Sequence, residues 1–239
     1  MTFFNTRFLL TGSLLLTVLS AQAQVSFSIG PRLGLNVSTY HFSESNSAFR
    51  LKYRAGFEAG VMSSVGFGHW ALQPALLYSQ KGFMESVSVD IRNSNNIPIS
   101  SGEFQYSNRL HYLTLPVNVA YTQHADGQGF QVFAGPYLGL LLGGRYESTI
   151  VGTSATDSGK ITPVANDAPD FGNFARRFDV GLQAGVGYRY QALLLQLNYS
   201  MGLRDIAARF DFYGGPFGNR AYYNRAFQAS LSYLAGPRQ

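Results

Sequence analysis

The feature that most restricts this 239-residue chain is a two-residue rhythm of apolar and non-apolar side chains that returns eight times after residue 24. In the first segment Val25, Phe27, Ile29, Leu33, Leu35 and Val37 alternate with Ser26, Ser28, Gly30, Arg32, Gly34 and Asn36. Successive side chains of a strand point to opposite faces, so this spacing makes one greasy face and one small or polar face. The pattern predicts further strands near 54–67, 70–82, 109–121, 130–143, 177–190, 193–204 and 223–234. Each is long for a globular strand and matches the ~9–11 residues that cross a bilayer at a tilt.

The connections alternate in length. Segments 38–53, 83–108, 144–176 and 205–222 are long and polar, whereas 68–69, 122–129 and 191–192 are short. Outer-membrane barrels have short turns on one side, long loops on the other and an even strand count. The fold expected is therefore all-β, an eight-stranded antiparallel up-and-down transmembrane β-barrel with both termini on the short-turn side. Closure is required because lipid offers no partner to an unpaired strand edge. Aromatic placement points the same way. Phe27, Phe67, Trp70, Tyr121, Phe130, Tyr188 and Tyr233 fall on the apolar face beside a short turn or a terminus, as a periplasmic girdle would. Tyr78, Phe178 and Phe227 are candidates for the opposite girdle. A soluble ligand-binding barrel is the alternative, with its apolar face turned inward. Pro31, Pro74, Pro116 and Pro136 lie inside the expected strands and cannot donate to the ladder, which predicts bulges or local breaks there.

Residues 1–23 read as a signal peptide: a single cation at Arg7, an apolar core from Phe8 to Leu19, and the small-x-small site Ala21-Gln22-Ala23. The mature barrel domain is expected to span 24–239. Only 13% of residues are charged, and there is no Cys, which excludes a disulfide scaffold, thiolate metal sites and a Cys nucleophile. The net charge of +5 suits anionic lipid headgroups. The cations form no run, so nucleic acid is not an expected partner. No phosphate loop, metal-spaced His cluster or dinucleotide fingerprint appears, and no cofactor or metal is expected.

The stretches GPRLGLNVS (30–38), LQPALLYSQKG (72–82), YLTLPVNVAY (112–121), FAGPYLGLLLGG (133–144), DVGLQAGVGYRY (179–190) and YSMGLRDI (199–206) resemble the outer-membrane β-barrel family common in Bacteroidetes, often called PorT-like. The resemblance implies an outer-membrane location and an eight-stranded barrel. It implies little chemistry, although the family's namesake is linked to protein secretion. Outer-membrane lipid and lipopolysaccharide, the barrel-insertion machinery, and secretion or envelope proteins are the partners it suggests. Such barrels often end on an aromatic residue, whereas this chain continues past Tyr233.

Eight strands enclose a lumen just wide enough for its own side chains. Arg32, Glu58, Lys81, Asp179 and Arg204 are the charges expected to form a polar network there, with inward glycines leaving them room. If Gly68-His69 is a two-residue turn, Lys81 lies diagonal to Glu58, with Arg32 close by. If Gln191-Ala192 is another, Asp179 faces Arg204. Arg209, Phe210, Phe212, Tyr213, Phe217 and Arg220 make the last long loop a candidate contact surface, since aromatic and Arg side chains favour interfaces. A catalytic reading has only His111, with Ser107 four residues away, and no enzyme activity is expected. The functional expectation is a structural or interaction barrel displaying outer loops. A narrow channel and a lipid-modifying enzyme are the alternatives.

Overall fold

The computed structural model describes residues 25–42, 49–92, 98–153, 155–169, 172–208 and 221–236. The expected leader and the loop residues 209–220 lie outside that set. Ten strands follow one another: β1 (Val25–Phe42), β2 (Phe49–Phe67), β3 (Trp70–Arg92), β4 (Pro98–Thr122), β5 (Gly129–Ile150), β6 (Thr156–Val164), β7 (Phe174–Arg176), β8 (Phe178–Tyr190), β9 (Leu193–Gly202) and β10 (Tyr222–Tyr233). Eight of them close a ring in the order β1-β2-β3-β4-β5-β8-β9-β10, with β10 returning to β1 and every neighbouring pair antiparallel. Among the described residues no helix is long and apolar enough to cross a membrane.

The barrel is inside out relative to a soluble one. Leu35 is 70% exposed and Arg32 only 2%. That orientation overturns the soluble alternative, because an apolar coat of this kind is stable only against lipid. Both two-residue turns form as expected, pairing Phe67 with Trp70 and Tyr190 with Leu193. Each turn needs a left-handed residue at its first position. Gly68 (φ 61°) meets this at no steric cost, whereas Gln191 (φ 55°) is held there by hydrogen bonds exchanged with Gln128.

Three expectations are amended. The long polar segments are not simple loops. Strands β1 to β4 run on through much of 38–53 and 83–108, and segment 144–176 contains the end of β5 together with β6 and β7. Strand β4 has 25 residues, and at ~3.3 Å per residue and a tilt near 40° it rises about 60 Å, roughly twice the apolar band. One wall of the barrel therefore stands well clear of the membrane. Side-chain polarity misled here because ladder hydrogen bonds join backbone groups, whatever the side chains are.

The prolines, secondly, break the ladder locally, as expected, but do not shift its register: Ala75 and Leu76 have no partner in β4, and Val117 and Asn118 have none in β5. Pro31 pairs with Val61, Pro74 with Val117, Pro116 with Tyr137 and Pro136 with Leu182, and the pairing resumes in step beyond each. The register shifts lie instead at Tyr53/Glu58, Ile91/Arg92 and His111/Tyr112, all toward the outer rim. The third correction concerns the charged pairs and follows below.

Candidate functional site

The lumen is filled in layers. In the middle layer Arg32 of β1 donates from Nε and Nη2 to Glu58 Oε1 of β2, at 3.1 and 3.0 Å. Its Nη1 donates to Gln196 Oε1 of β9 at 2.6 Å. Gln196 Nε2 passes the chain to Gln73 (3.1 Å), and Gln73 Nε2 to Gln131 (3.0 Å). Five side chains from five strands thus form one hydrogen-bonded chain across the lumen. Gly34 makes this possible, because a Cβ there would sit 2.8 Å from Glu58 Cγ.

The next layer outward holds the second buried pair. Lys81 Nζ of β3 lies 3.7 Å from Asp179 Oδ2 of β8, and both side chains are buried. Asp179 Oδ2 also accepts from Asn224 Nδ2 (2.8 Å) and Tyr137 Oη (3.1 Å). The Lys81 ammonium sits 4.4 Å from the Tyr137 ring centroid and 5.6 Å from that of Tyr112. Asp179 is not paired with Arg204, and Lys81 is not paired with Glu58. The β8–β9 ladder ends at Gly181↔Gly202, and Arg204 lies beyond it, half-buried at the rim. Strands β3 and β8 are not sheet neighbours, so Lys81 meets its carboxylate across the lumen rather than along the sheet.

Above these charges, toward the outer mouth, lies an apolar plug. Tyr40, Phe83, Leu110, Tyr112, Leu141, Ile161, Ala175 and Ile206 are buried together. The Tyr40 ring lies 4.5 Å from Phe83 and stacks on Tyr222 at 4.8 Å. At the rim Arg176 pairs with Asp167 (3.0 Å) and Asp205 (3.5 Å), tying β7 to the segment after β9. None of this plug was expected from sequence. Its signal was apolar residues at inward positions of neighbouring strands, such as Leu110 of β4 and Leu141 of β5.

The seven expected girdle aromatics all face outward and are exposed. Trp70 packs edge-on against Tyr121 at 5.1 Å, and Phe130 against Tyr188 at 4.8 Å. They form a belt around the end that carries the short turns. The expected loop surface of Arg209, Phe210, Phe212, Tyr213, Phe217 and Arg220 lies outside the described residues. Ser107 and His111 do not meet: Ser107 accepts a hydrogen bond from Arg54, and the His111 ring is engaged by the Tyr78 hydroxyl. Four strand residues separate the pair by roughly 13 Å.

Comparison with curated proteins finds no match. Among solved structures the chain is similar to Ail, the attachment invasion locus protein of Yersinia pestis, in complex with the heparin analogue sucrose octasulfate, at 8% identity and a TM-score of 0.44, covering 88% of this chain and 99% of that one. It is also similar to neisserial surface protein A, at 11% identity and a TM-score of 0.37 (87% and 96% covered). OprG of Pseudomonas aeruginosa matches at 9% identity and a TM-score of 0.32 (89% and 97% covered). The model of the family described as outer membrane protein beta-barrel domain matches residues 21–208. That match covers more than half of a chain whose eight-strand ring is closed and apolar on its outside, and the protein accordingly belongs to the outer membrane protein beta-barrel domain family, an integral protein of the outer membrane.

Proposed function

We propose that this protein is a non-conducting barrel that serves as a rigid interaction scaffold, presenting its tall outer wall and outer loops to envelope partners. The observation that carries the reading is the filled lumen, where the Glu58-Arg32-Gln196-Gln73-Gln131 chain crosses the barrel beneath an aromatic plug. A transporter needs a path of partners that a solute can leave as easily as enter. Here both buried ion pairs are locked in place, and moving either would strand a charge. A role in secretion or envelope assembly, of the kind the PorT-like resemblance suggests, fits a scaffold whose ordered strands extend far beyond the bilayer.

Planar-bilayer recording tests this. The protein purified from outer membranes should insert without unitary current steps across a wide voltage range. Reproducible single-channel steps that changed on Arg32→Gln would overturn the reading.

A further inference from the structure

The outward face of the β4-β5-β6 wall carries a row of cations that the lumen does not use. Arg109 of β4 is the cross-strand partner of Arg145 of β5, and Arg145 is in turn the partner of Lys160 of β6. Directly paired residues share a face, with Cα atoms ~4.5–5.5 Å apart. All three side chains are exposed. Among the described residues, no carboxylate lies within ion-pair distance of any of them. Arg54 extends the row, since its guanidinium donates to Ser107 and feels the Arg109 charge. With His111 these side chains line an open groove of about 630 Å3, in which Glu147 is the single acid. Like charges directly opposite one another destabilise a sheet, so the row calls for an anion from outside the chain.

The position of the groove says which kind of anion. Below the cations the same face of β4 and β5 carries the lipid-facing Leu113, Leu115, Leu138 and Leu142. Arg109 is four residues above Leu113 and Arg145 three above Leu142. At ~3.3 Å per residue and a tilt near 40°, that places the guanidinium-bearing residues about 8–10 Å beyond the apolar edge, at headgroup depth. A bulge sets this up. His111 pairs with Gly143 but Tyr112 pairs with Leu141, so Leu142 is an extra residue. Gly143, at φ 153°, absorbs the kink. Beyond it β5 reverses its faces, turning Arg145 out beside Arg109 and Tyr146 in against the plug.

We propose that this groove binds the phosphate groups of an anionic glycolipid of the outer leaflet. Arg109 and Arg145 supply planar forks that suit phosphate oxygens, and Lys160 adds a point charge at the end of the row. The acyl chains of the same molecule lie against the leucines below. A lipid therefore attaches at two levels, whereas a soluble anion gains only the upper one. Binding weakens with salt, because the cations are exposed to solvent.

The test uses the protein purified from outer membranes in neutral detergent, with binding read by native mass spectrometry and a salt titration. The probes are phosphorylated lipid A, the same lipid A after phosphatase treatment, inorganic phosphate and heparin. Phosphorylated lipid A should bind at least tenfold more tightly than the dephosphorylated form. The triple variant Arg109→Gln/Arg145→Gln/Lys160→Gln should lose that preference, while Arg109→Lys/Arg145→Lys keeps most of it. Heat-modifiable migration in gels checks folding. If the triple variant does not fold, Lys160→Gln and the salt dependence of the wild type decide. Equal binding of the two lipid A forms, undiminished binding by the folded Gln variant, or heparin or inorganic phosphate binding as tightly as lipid A would each overturn the proposal. None of these results alters the conductance test above, so the two readings fail separately.

Discussion

Replacing Asp179 with Asn removes the negative end of a fully buried pair and leaves the Lys81 ammonium without a counter-charge. At the observed 3.7 Å separation, Coulomb's law with an effective dielectric near 20 gives an attraction of about 4–5 kcal/mol. An Asn whose oxygen takes the place of Oδ2 keeps both hydrogen bonds that Asp179 accepts there from Asn224 and Tyr137, but it puts an NH2 where Oδ1 has no partner. The Lys81 contact with the Tyr137 ring survives and offsets a part. The expected net loss is about 3–5 kcal/mol, the usual cost of orphaning one member of a buried pair. Urea unfolding in detergent micelles reports it through Trp70, the only tryptophan. With a slope of ~1–3 kcal/mol per molar urea, the midpoint should fall by roughly 1–5 M. The double variant Asp179→Asn/Lys81→Met should recover at least half, since an apolar replacement of both partners removes the stranded charge. Arg204→Gln should leave the midpoint nearly unchanged. A single variant within ~0.5 kcal/mol of wild type, or a double variant no better than the single, would refute the argument. A loss on Arg204→Gln equal to that on Asp179→Asn would restore the pairing expected from sequence.

Two further outcomes follow from the same geometry. Tyr106, in the wall above the membrane, donates to Asn173 at 3.0 Å, and burial pushes its phenol up to about 12. The unfolded chain then loses this proton first, near pH 10, so stability is full below that pH and falls between pH 10 and 12, by about 2–3 kcal/mol. Urea midpoints measured across that window should decline less steeply in Tyr106→Phe, and an unchanged slope would contradict the assignment. Gly181→Ala should cost about 1–3 kcal/mol by overpacking, because a Cβ would lie 2.2 Å from the Met201 carbonyl oxygen and 2.5 Å from the Tyr137 ring. If that variant unfolds at the wild-type midpoint, Tyr137 does not lie where the lumen chemistry requires.

The sequence by itself determined which face of each strand meets lipid, because alternation is a local property that any extended segment obeys. It also determined the two tight turns at 68–69 and 191–192, and through them the pairing of Phe67 with Trp70 and of Tyr190 with Leu193. The proximity of Arg32 to Glu58 follows from one adjacent ladder and was legible for that reason. The tertiary structure alone decided that Lys81 belongs to Asp179. That contact joins strands three places apart around the ring, and ring closure with its tilt sets who faces whom across a lumen. It decided the height of the wall, since polar residues in 83–108 look like loop until their backbones are seen to pair. It also decided that Arg145 points outward. Counting by twos from Leu141 puts Arg145 on the lumen side, and one extra residue at Leu142 reverses every position beyond it. A period of two carries no memory of an inserted residue, so parity past a bulge is settled only when the neighbouring strand is in place.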